Sequence, residues 1–527
     1  MMTRCSIERS VVGPQAILYS IVVVAGLLAL TATPAPLLAQ CPDGTPPPCA
    51  GLAPRTAAGP PASSIAVLYF ETRDTADTYL ADGLTEEIAT SLGRVARLHI
   101  KSPSAVRRAQ RQAAGNLRAI GRMLNVFWVV EGSVRRGAGR MRVSVRLVNA
   151  ANETATWSDA FSRPASDVLG LEEDIARQVA TNVAGVLAPA ERTRLARRPT
   201  QNAEAYDHFL RGNFFLAQRA ARAAARAIEE YGAAIRLDPA FSAPLARSSL
   251  TYSLTLDWGW PHPGVPDDTI VARASAAASS ALRLDSLSAD AWMAEAFAKS
   301  HSHARTYEGV IEAMERAVAL DSQNAEAWHQ YGWFLYVLGR HAEALGAFQR
   351  ALGIEPGRAI TCEHIARVLG TQRRYAEARP WIDSAIALDP AQSFYYRQRS
   401  SLRLAIGDTT GARRDAEATA GLGADVPFWG VAALARITLV PGDTAAAREI
   451  EARLLATIPD PRHLSLPASF IIASVLAAAG ARDAAISYLE RAEPGPALAV
   501  ALADRDFDSL RSEARFQRVV EQSRPPR

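Results

Sequence analysis

Between Ser64 and Leu187 the apolar positions change their period several times, and each change marks an element. Ile65-Ala-Val-Leu-Tyr-Phe70 is a nearly continuous apolar run, as in a buried strand. Leu80, Leu84, Ile88 and Leu92 recur every four residues and predict one face of a helix. Leu98-His-Ile100 predicts a second short strand, and one further helical stretch runs to Leu124. Val126 to Arg135 and Arg140 to Val148 read as two strands joined around Gly137-Ala-Gly139, where a hairpin needs positive φ. In the second of these, Met141, Val143, Val145 and Leu147 point one way, and Arg140, Arg142, Ser144 and Arg146 the other. A third strand spans Thr154 to Phe161, and Ile175, Val179, Val183 and Leu187 form the stripe of a closing helix. The order β-α-β-α-β-β-β-α predicts an α/β head, a mixed sheet with helices packed on it. The Arg row is expected to be a solvated face.

From Asn202 onward the pattern is helical and repeats. Trp328, Gly332, Leu335, Ala344, Phe348, Ala351 and Pro356 recur, shifted by 34, as Cys362, Ala366, Leu369, Ala378, Ile382, Ala385 and Pro390. Self-similarity at that period marks stacked helix pairs, with small residues where helices approach and large ones between them. Leu237-Asp-Pro239, Leu284-Asp-Ser286, Leu320-Asp-Ser322, Ile354-Glu-Pro356 and Leu388-Asp-Pro390 punctuate the units. The last three intervals are 36, 34 and 34 residues; the first is 47, because Trp258 to Pro266 is an inserted loop. Degenerate units continue to about Ala492, which makes seven or eight in all. An all-α solenoid of this kind is a binding surface far more often than a catalyst.

The chain has 527 residues, too many for one ordinary core. It divides into 1–39, an export signal or anchor; 40–63, a Pro/Ala/Gly-rich tether; 64–188, the head; 189–201, a basic linker; 202–492, the repeats; and 493–527, a tail. At 49% hydrophobic and 21% charged it is a folded, helix-rich composition. Net charge is +4, and Arg carries nearly all the positive charge, with lysines at Lys101 and Lys299. Arg is interleaved with Asp and Glu instead of gathered in a patch, so no nucleic-acid partner is expected.

The N-terminus reads as an export signal. Arg4 and Arg9 precede an apolar run from Ala16 to about Ala32, and Ala39 offers a small residue for cleavage. Cleavage into the periplasm or cell envelope is favoured, with an uncleaved single membrane anchor as the alternative. Cys41 and Cys49 bracket a Pro-rich loop and would pair as a disulfide in an oxidising compartment. Cys362 sits at an interior repeat position and reads as a buried apolar thiol.

Candidate chemistry is sparse. Asp504, Asp506 and Asp508 resemble the start of a calcium loop, but Ser509 stands where Gly is needed and Arg515 where Glu is needed. His301, His303, His329, His341 and His364 lack metal-ligand spacing. There is no phosphate loop, nucleophile elbow or His-Glu-x-x-His. Asp82, Glu86 and Glu87 read as helix-start and surface residues. No cofactor, metal or enzymatic activity is expected.

Those residues carry two resemblances. The repeats resemble tetratricopeptide repeats, whose aromatic, Gly and Ala positions are met by Trp328, Gly332, Ala344, Phe348 and Pro356. The head resembles the TolB amino-terminal-like domain, through Ser64-Ile-Ala-Val-Leu-Tyr-Phe70, Tyr79-Leu-Ala-Asp-Gly-Leu-Thr-Glu-Glu87 and Val130-Glu-Gly-Ser-Val-Arg-Arg136. In tetratricopeptide arrays the first helix of each unit lines a concave groove. Carried over position by position, the resemblance implies that Trp292, Glu295 and Lys299, then His329, Trp333 and Tyr336, then Glu363 and Arg367 face it. It implies a non-enzymatic bacterial envelope protein that holds protein or peptide partners there, with homo-oligomerisation as a further expectation. The alternative is a membrane-anchored regulatory protein whose head senses a ligand or docks a signalling partner.

Overall fold

The computed structural model describes residues 59–218, 220–257, 265–301, 307–423, 427–439, 442–458, 466–492 and 494–524. The signal, the Cys41–Cys49 pair and most of the Trp258–Pro266 insertion lie outside them.

The head is a mixed sheet in the order β3-β1-β4-β5-β6. Its strands are β1 (Ser64–Val67), β2 (Glu71–Thr72), β3 (His99–Ile100), β4 (Trp128–Gly137), β5 (Arg140–Asn149) and β6 (Ala155–Pro164). β1 lies parallel to β3 and β4, and β4, β5 and β6 form an antiparallel meander. β1 is continuously apolar because both of its faces are covered. Ile65 and Val67 pack toward α1 (Thr78–Gly93), while Ala66 and Leu68 pack toward α2 (Pro103–Gln112) and α3 (Leu117–Leu124). Met141, Val143, Val145 and Leu147 face α1 and α4 (Val168–Ala184), and their alternating partners are exposed.

Two features differ from the sequence reading. The helical stretch before Leu124 is two helices, broken where Ala114 and Gly115 take φ of 46° and 83° and Asn116 caps α3. The two-residue strand β2, paired with β4, is too short to leave a periodic signal.

After α5 (Pro189–Leu195) come eight helical hairpins among the described residues. They are α6 (Ala203–Ala217) with α7 (Ala221–Leu237), α8 (Ser242–Asp257) with α9 (Asp267–Leu284), α10 (Ala289–His301) with α11 (Tyr307–Leu320), and α12 (Ala325–Val337) with α13 (His341–Ile354). Then follow α14 (Ala359–Thr371) with α15 (Tyr375–Leu388), α16 (Ser393–Ala405) with α17 (Thr409–Leu422), α18 (Pro427–Thr438) with α19 (Thr444–Ala456), and α20 (Leu466–Ala478) with α21 (Arg482–Arg491). The expected α/β head followed by a tetratricopeptide-like superhelix is therefore the observed architecture. The small residues act as the period implies: a Cβ on Gly332 would come within 2.8 Å of the Phe348 ring, and one on Gly212 within 2.3 Å of Tyr231. Cys362 is a buried free thiol, and burial pushes its pKa up to about 12. No helix among the described residues is long and apolar enough to cross a membrane.

Head and solenoid share a core. Tyr206, Phe209, Leu210, Tyr231 and Phe241 join Leu80, Leu84, Leu171 and Ile175 in one buried cluster. Inside it Glu172 accepts hydrogen bonds from Ser91 Oγ (2.9 Å) and Tyr206 Oη (2.5 Å). The head also reaches two distant loops of the solenoid. Lys101 Nζ donates to the carbonyl of Ile354 (3.4 Å), and Gln112 Nε2 to that of Leu388 (2.8 Å).

The tail closes the other end. α22 (Pro496–Ala501), a 3-10 turn (Arg505–Leu510) and α23 (Ala514–Ser523) bury Leu498, Leu502, Phe507, Leu510 and Phe516 against the apolar helix α20. The same cluster takes in Ile472, Val475 and Leu476 of α20, so the tail adds to the cover of that helix.

Candidate protein-binding wall

Helices α10, α12, α14, α16 and α18 stand side by side as the first members of their hairpins, and the wall they form carries most of the anticipated residues. The structure divides those residues into two groups.

Three of them are not open to solvent. His329 is 3% exposed, with Nδ1 2.9 Å from Thr361 Oγ1 and its ring stacked on His364 at 4.8 Å. Tyr336 is buried, with its hydroxyl 3.2 Å from Thr371 Oγ1. Glu363 is fully buried and accepts a 2.6 Å hydrogen bond from Arg367 Nη2. The expectation that these three line an open groove is corrected: neighbouring first helices lie so close that their side chains pack against one another and leave these three buried. Trp292 is also displaced from its expected role. It occupies the place that Trp328 holds in its own unit, and both indole N–H groups donate to loop carbonyls, of Ser286 (2.9 Å) and Ser322 (3.0 Å).

The others remain partly accessible. Glu295 and Lys299 form an ion pair of 3.5 Å on α10. Trp333 is half-buried and stacks on His364 at 4.7 Å. The Arg367 side chain keeps 28% of its surface exposed.

A charged network that the sequence reading missed lies beneath this strip. Burial opposes the charge on Glu326, but the Arg358 guanidinium overcomes that and holds its pKa well below the ordinary carboxylate value. Burial, joined by His364 and Arg358, drives His329 well below the usual imidazole value. Burial likewise pushes His364 down to about 4, against the opposing pull of Glu363. Both imidazoles are therefore neutral at pH 7. Glu355 is 3% exposed and lies 3.4 Å from Arg358 and 3.6 Å from Arg108 of the head.

The wall also extends past Arg367. A further shift of 34 from Glu363 and Arg367 falls on Arg397 and Ser401, so the period contained this signal. Arg436 of α18 donates from Nη1 to Ser401 Oγ (2.9 Å) and pairs with Asp506 of the tail. Asp508 pairs with Arg373 at 2.7 Å. Two acids of the tail's triplet, Asp506 and Asp508, thus serve as guanidinium partners, while Asp504 accepts from the Asp506 backbone N–H at 3.0 Å. Ala497 and Val500 of α22 pack on the cluster that contains Trp333 and Tyr336, so the tail covers part of the same wall.

In the head, Asp82 and Glu86 are not plain surface residues. Both pair with Arg107, at 3.0 and 3.4 Å, and Arg107 lies 3.6 Å over the Tyr69 ring. The Arg140–Arg146 row is exposed, and Arg146 pairs with Glu131 at 3.0 Å. Among the described residues no three His, Cys, Asp or Glu side chains gather as a metal cage.

Residues 325–358 match the family model described as Tetratricopeptide repeat. Over 204 residues the chain is 29% identical to a Rhizobium meliloti (strain 1021) protein named "Putative adenylate cyclase 3", covering 37% of this chain and 35% of that protein. Over 97 residues it is 34% identical to "Inactive TPR repeat-containing thioredoxin TTL3" of Arabidopsis thaliana, covering 18% of this chain and 14% of that protein. The chain thus spans about a third or less of the length of these curated relatives. Among solved structures, yeast Tom70 is 13% identical with a TM-score of 0.38, covering 68% of this chain and 80% of Tom70. The chain is similar to tetratricopeptide-repeat proteins, a class of protein-binding scaffolds.

Proposed function

We propose that this protein is a non-catalytic scaffold of the bacterial cell envelope that grips partner proteins on the inner wall of its superhelix. The observation that carries this reading is the strip of Trp333, Arg367 and Arg397 on successive first helices, aromatic and guanidinium groups of the kind that dominate interface energies. Because head and tail both brace the stack, the wall is preformed and little ordering entropy opposes association. Of the anticipated groove residues, Glu295, Lys299, Trp333 and Arg367 remain candidates for direct contact. His329, Tyr336 and Glu363 would act by supporting them. The TolB-like head would fix the curvature of the array and offer a surface for self-association. Export is part of this reading. In the exported form Cys41 and Cys49 would resist thiol labelling under denaturing conditions until a reductant is added, while Cys362 would label at once.

The test is a crosslinking pull-down of the exported protein from its native host, with and without Trp333→Ala and Arg367→Gln. Partners that disappear with these substitutions and persist with the outer-helix substitution Arg350→Gln support the reading. An unchanged set of partners contradicts it.

A second reading, a regulatory protein whose head docks a signalling partner, is favoured by one observation, the match to a relative named as a cyclase. Signal cleavage in the fractionated host would count against its membrane-anchored form.

A further inference from the structure

Arg397 is the anomaly of the inner wall. Each neighbouring guanidinium has a carboxylate: Arg367 has Glu363, Arg436 has Asp506, and Arg373 has Asp508. The Arg397 guanidinium has neither a hydrogen bond nor an ion pair to any described residue, and its buried Nε has no acceptor. One face of its guanidinium lies 4.6 Å over the Trp429 ring. Glu363 offsets part of the charge from the adjacent helix, although one of its carboxylate oxygens accepts from Arg367. Burial, aided by Arg367 and Arg436, pushes the Arg397 pKa down to about 10, a sign that its charge is poorly compensated. A buried cation without a partner is costly, and a carboxylate delivered to it would relieve that cost.

The space beside Arg397 is a cleft between α16 and α18. Ser401, Leu404, Ala432 and Arg436 line it, and Ile471 of α20 closes it. Ser401 Oγ donates to the Arg397 carbonyl (3.2 Å) and accepts from Arg436, so the hydroxyl is already engaged. The free donors in the cleft are therefore those on the edge of one planar guanidinium, set among apolar carbons. That suits one planar carboxylate held by parallel hydrogen bonds better than a phosphate, which needs donors from several directions.

The tail shows what kind of chain the wall accepts. Asp506 reaches Arg436 and Ser474, Asp508 reaches Arg373, and Arg505 donates to the Leu404 carbonyl at 3.3 Å. An acidic peptide turn thus already lies along this wall, on the guanidinium groups next to Arg397.

We propose that the Arg397 cleft is the seat of an acidic side chain from a partner protein, docked beside the protein's own acidic turn. The inference rests on the inner wall being the protein-binding face, and it names the class of segment recognised there: an Asp- or Glu-rich stretch with an interspersed apolar residue.

The experiment is fluorescence anisotropy of the full chain with a fluorescein-labelled Asp-Asp-Phe-Asp-Asp peptide, against its Asn-Asn-Phe-Asn-Asn counterpart. The acidic peptide binds about tenfold or more tightly than the amide peptide, and the affinity falls as salt is raised. Arg397→Gln weakens the acidic peptide about tenfold while the helical circular dichroism is unchanged. Ser401→Asp places a carboxylate one turn from Arg397; it raises the melting temperature and weakens the peptide to the same degree. Equal binding of the two peptides, or insensitivity to Arg397→Gln, overturns the proposal. Displacement of the peptide by inorganic phosphate at lower concentrations than the peptide itself assigns the cleft to a free anion and overturns it as well. If Trp333→Ala abolishes partner capture while Arg397→Gln leaves peptide binding intact, the scaffold reading stands and this inference falls.

Discussion

Ser102 and Glu355 stand 253 positions apart, and the Ser102 hydroxyl donates a 2.7 Å hydrogen bond to the Glu355 carboxylate. This contact joins the first residues of α2 in the head to the loop that opens the fifth hairpin. Arg108, Arg358 and the neighbouring Lys101 converge on the same carboxylate. Glu355→Ala leaves Lys101 and Arg108 without their carboxylate, while Arg358 keeps Glu326. We expect a loss of about 3–5 kcal/mol in urea unfolding and faster amide exchange across 101–112. Unchanged exchange there would mean that the Glu355 cluster does not hold the head, and that its shared core with the first hairpin does.

The tail is held by a similar device. Arg436 is largely buried, and Asp506 supplies its carboxylate while also accepting from Ser474 Oγ at 2.5 Å. Asp506→Ala should cost about 3 kcal/mol or more, with exchange rising first in 496–510 and then in α20, whose apolar face the tail covers. If α20 exchanges before the tail, the tail is not its cover.

The packing of the repeat gives opposite signs to two glycine substitutions. Gly332→Ala places a methyl 2.8 Å from the Phe348 ring, and overpacking of this kind costs about 1–3 kcal/mol despite the better helix propensity of Ala. Gly346→Ala, inside α13 with nothing within 4 Å, should gain up to about 1 kcal/mol. Thermal unfolding of the two variants reads both signs.

Acid should loosen the middle of the solenoid. His364 is neutral in the native state with its pKa pushed down to about 4, against an ordinary 6.5. Between those values the unfolded chain binds a proton that the folded chain refuses, so stability rises with pH through this window. A displacement of that size is worth about 3 kcal/mol at full effect. Glu363, Arg367, Arg358, Glu326 and His329 all face the ring, and His329 adds to the effect in the same direction. His364→Phe, which keeps the stacking on Trp333, should flatten the dependence of urea midpoint on pH between 4 and 6.5. A slope equal to that of the parent protein would remove the assignment.

The fold class was legible because its signals are local. The alternation in β5 lies within one strand, and the pairing of Gly332 with Phe348, repeated 34 residues on, lies within each hairpin. What could not be read was the exposure of the wall. His329 and Glu363 occupy positions that face a groove in an open array. Whether they meet water depends on how closely α12, α14 and α16 pack and on where head and tail dock. Ser102 to Glu355 and Arg373 to Asp508 are contacts between segments with no shared period. The break at Ala114–Gly115 was missed because the apolar spacing continues on both sides of it. Arg397 was within reach, one repeat beyond Arg367.

The central claim is that partners are held on the inner wall. The most direct measurement is site-specific photocrosslinking in the native host, with the photoreactive residue at Trp333 or Ser401 on the wall, or at Arg350 or Glu417 on the outer helices. Defined adducts are expected from the two inner positions and none from the outer pair. Adducts from the outer positions alone would contradict it.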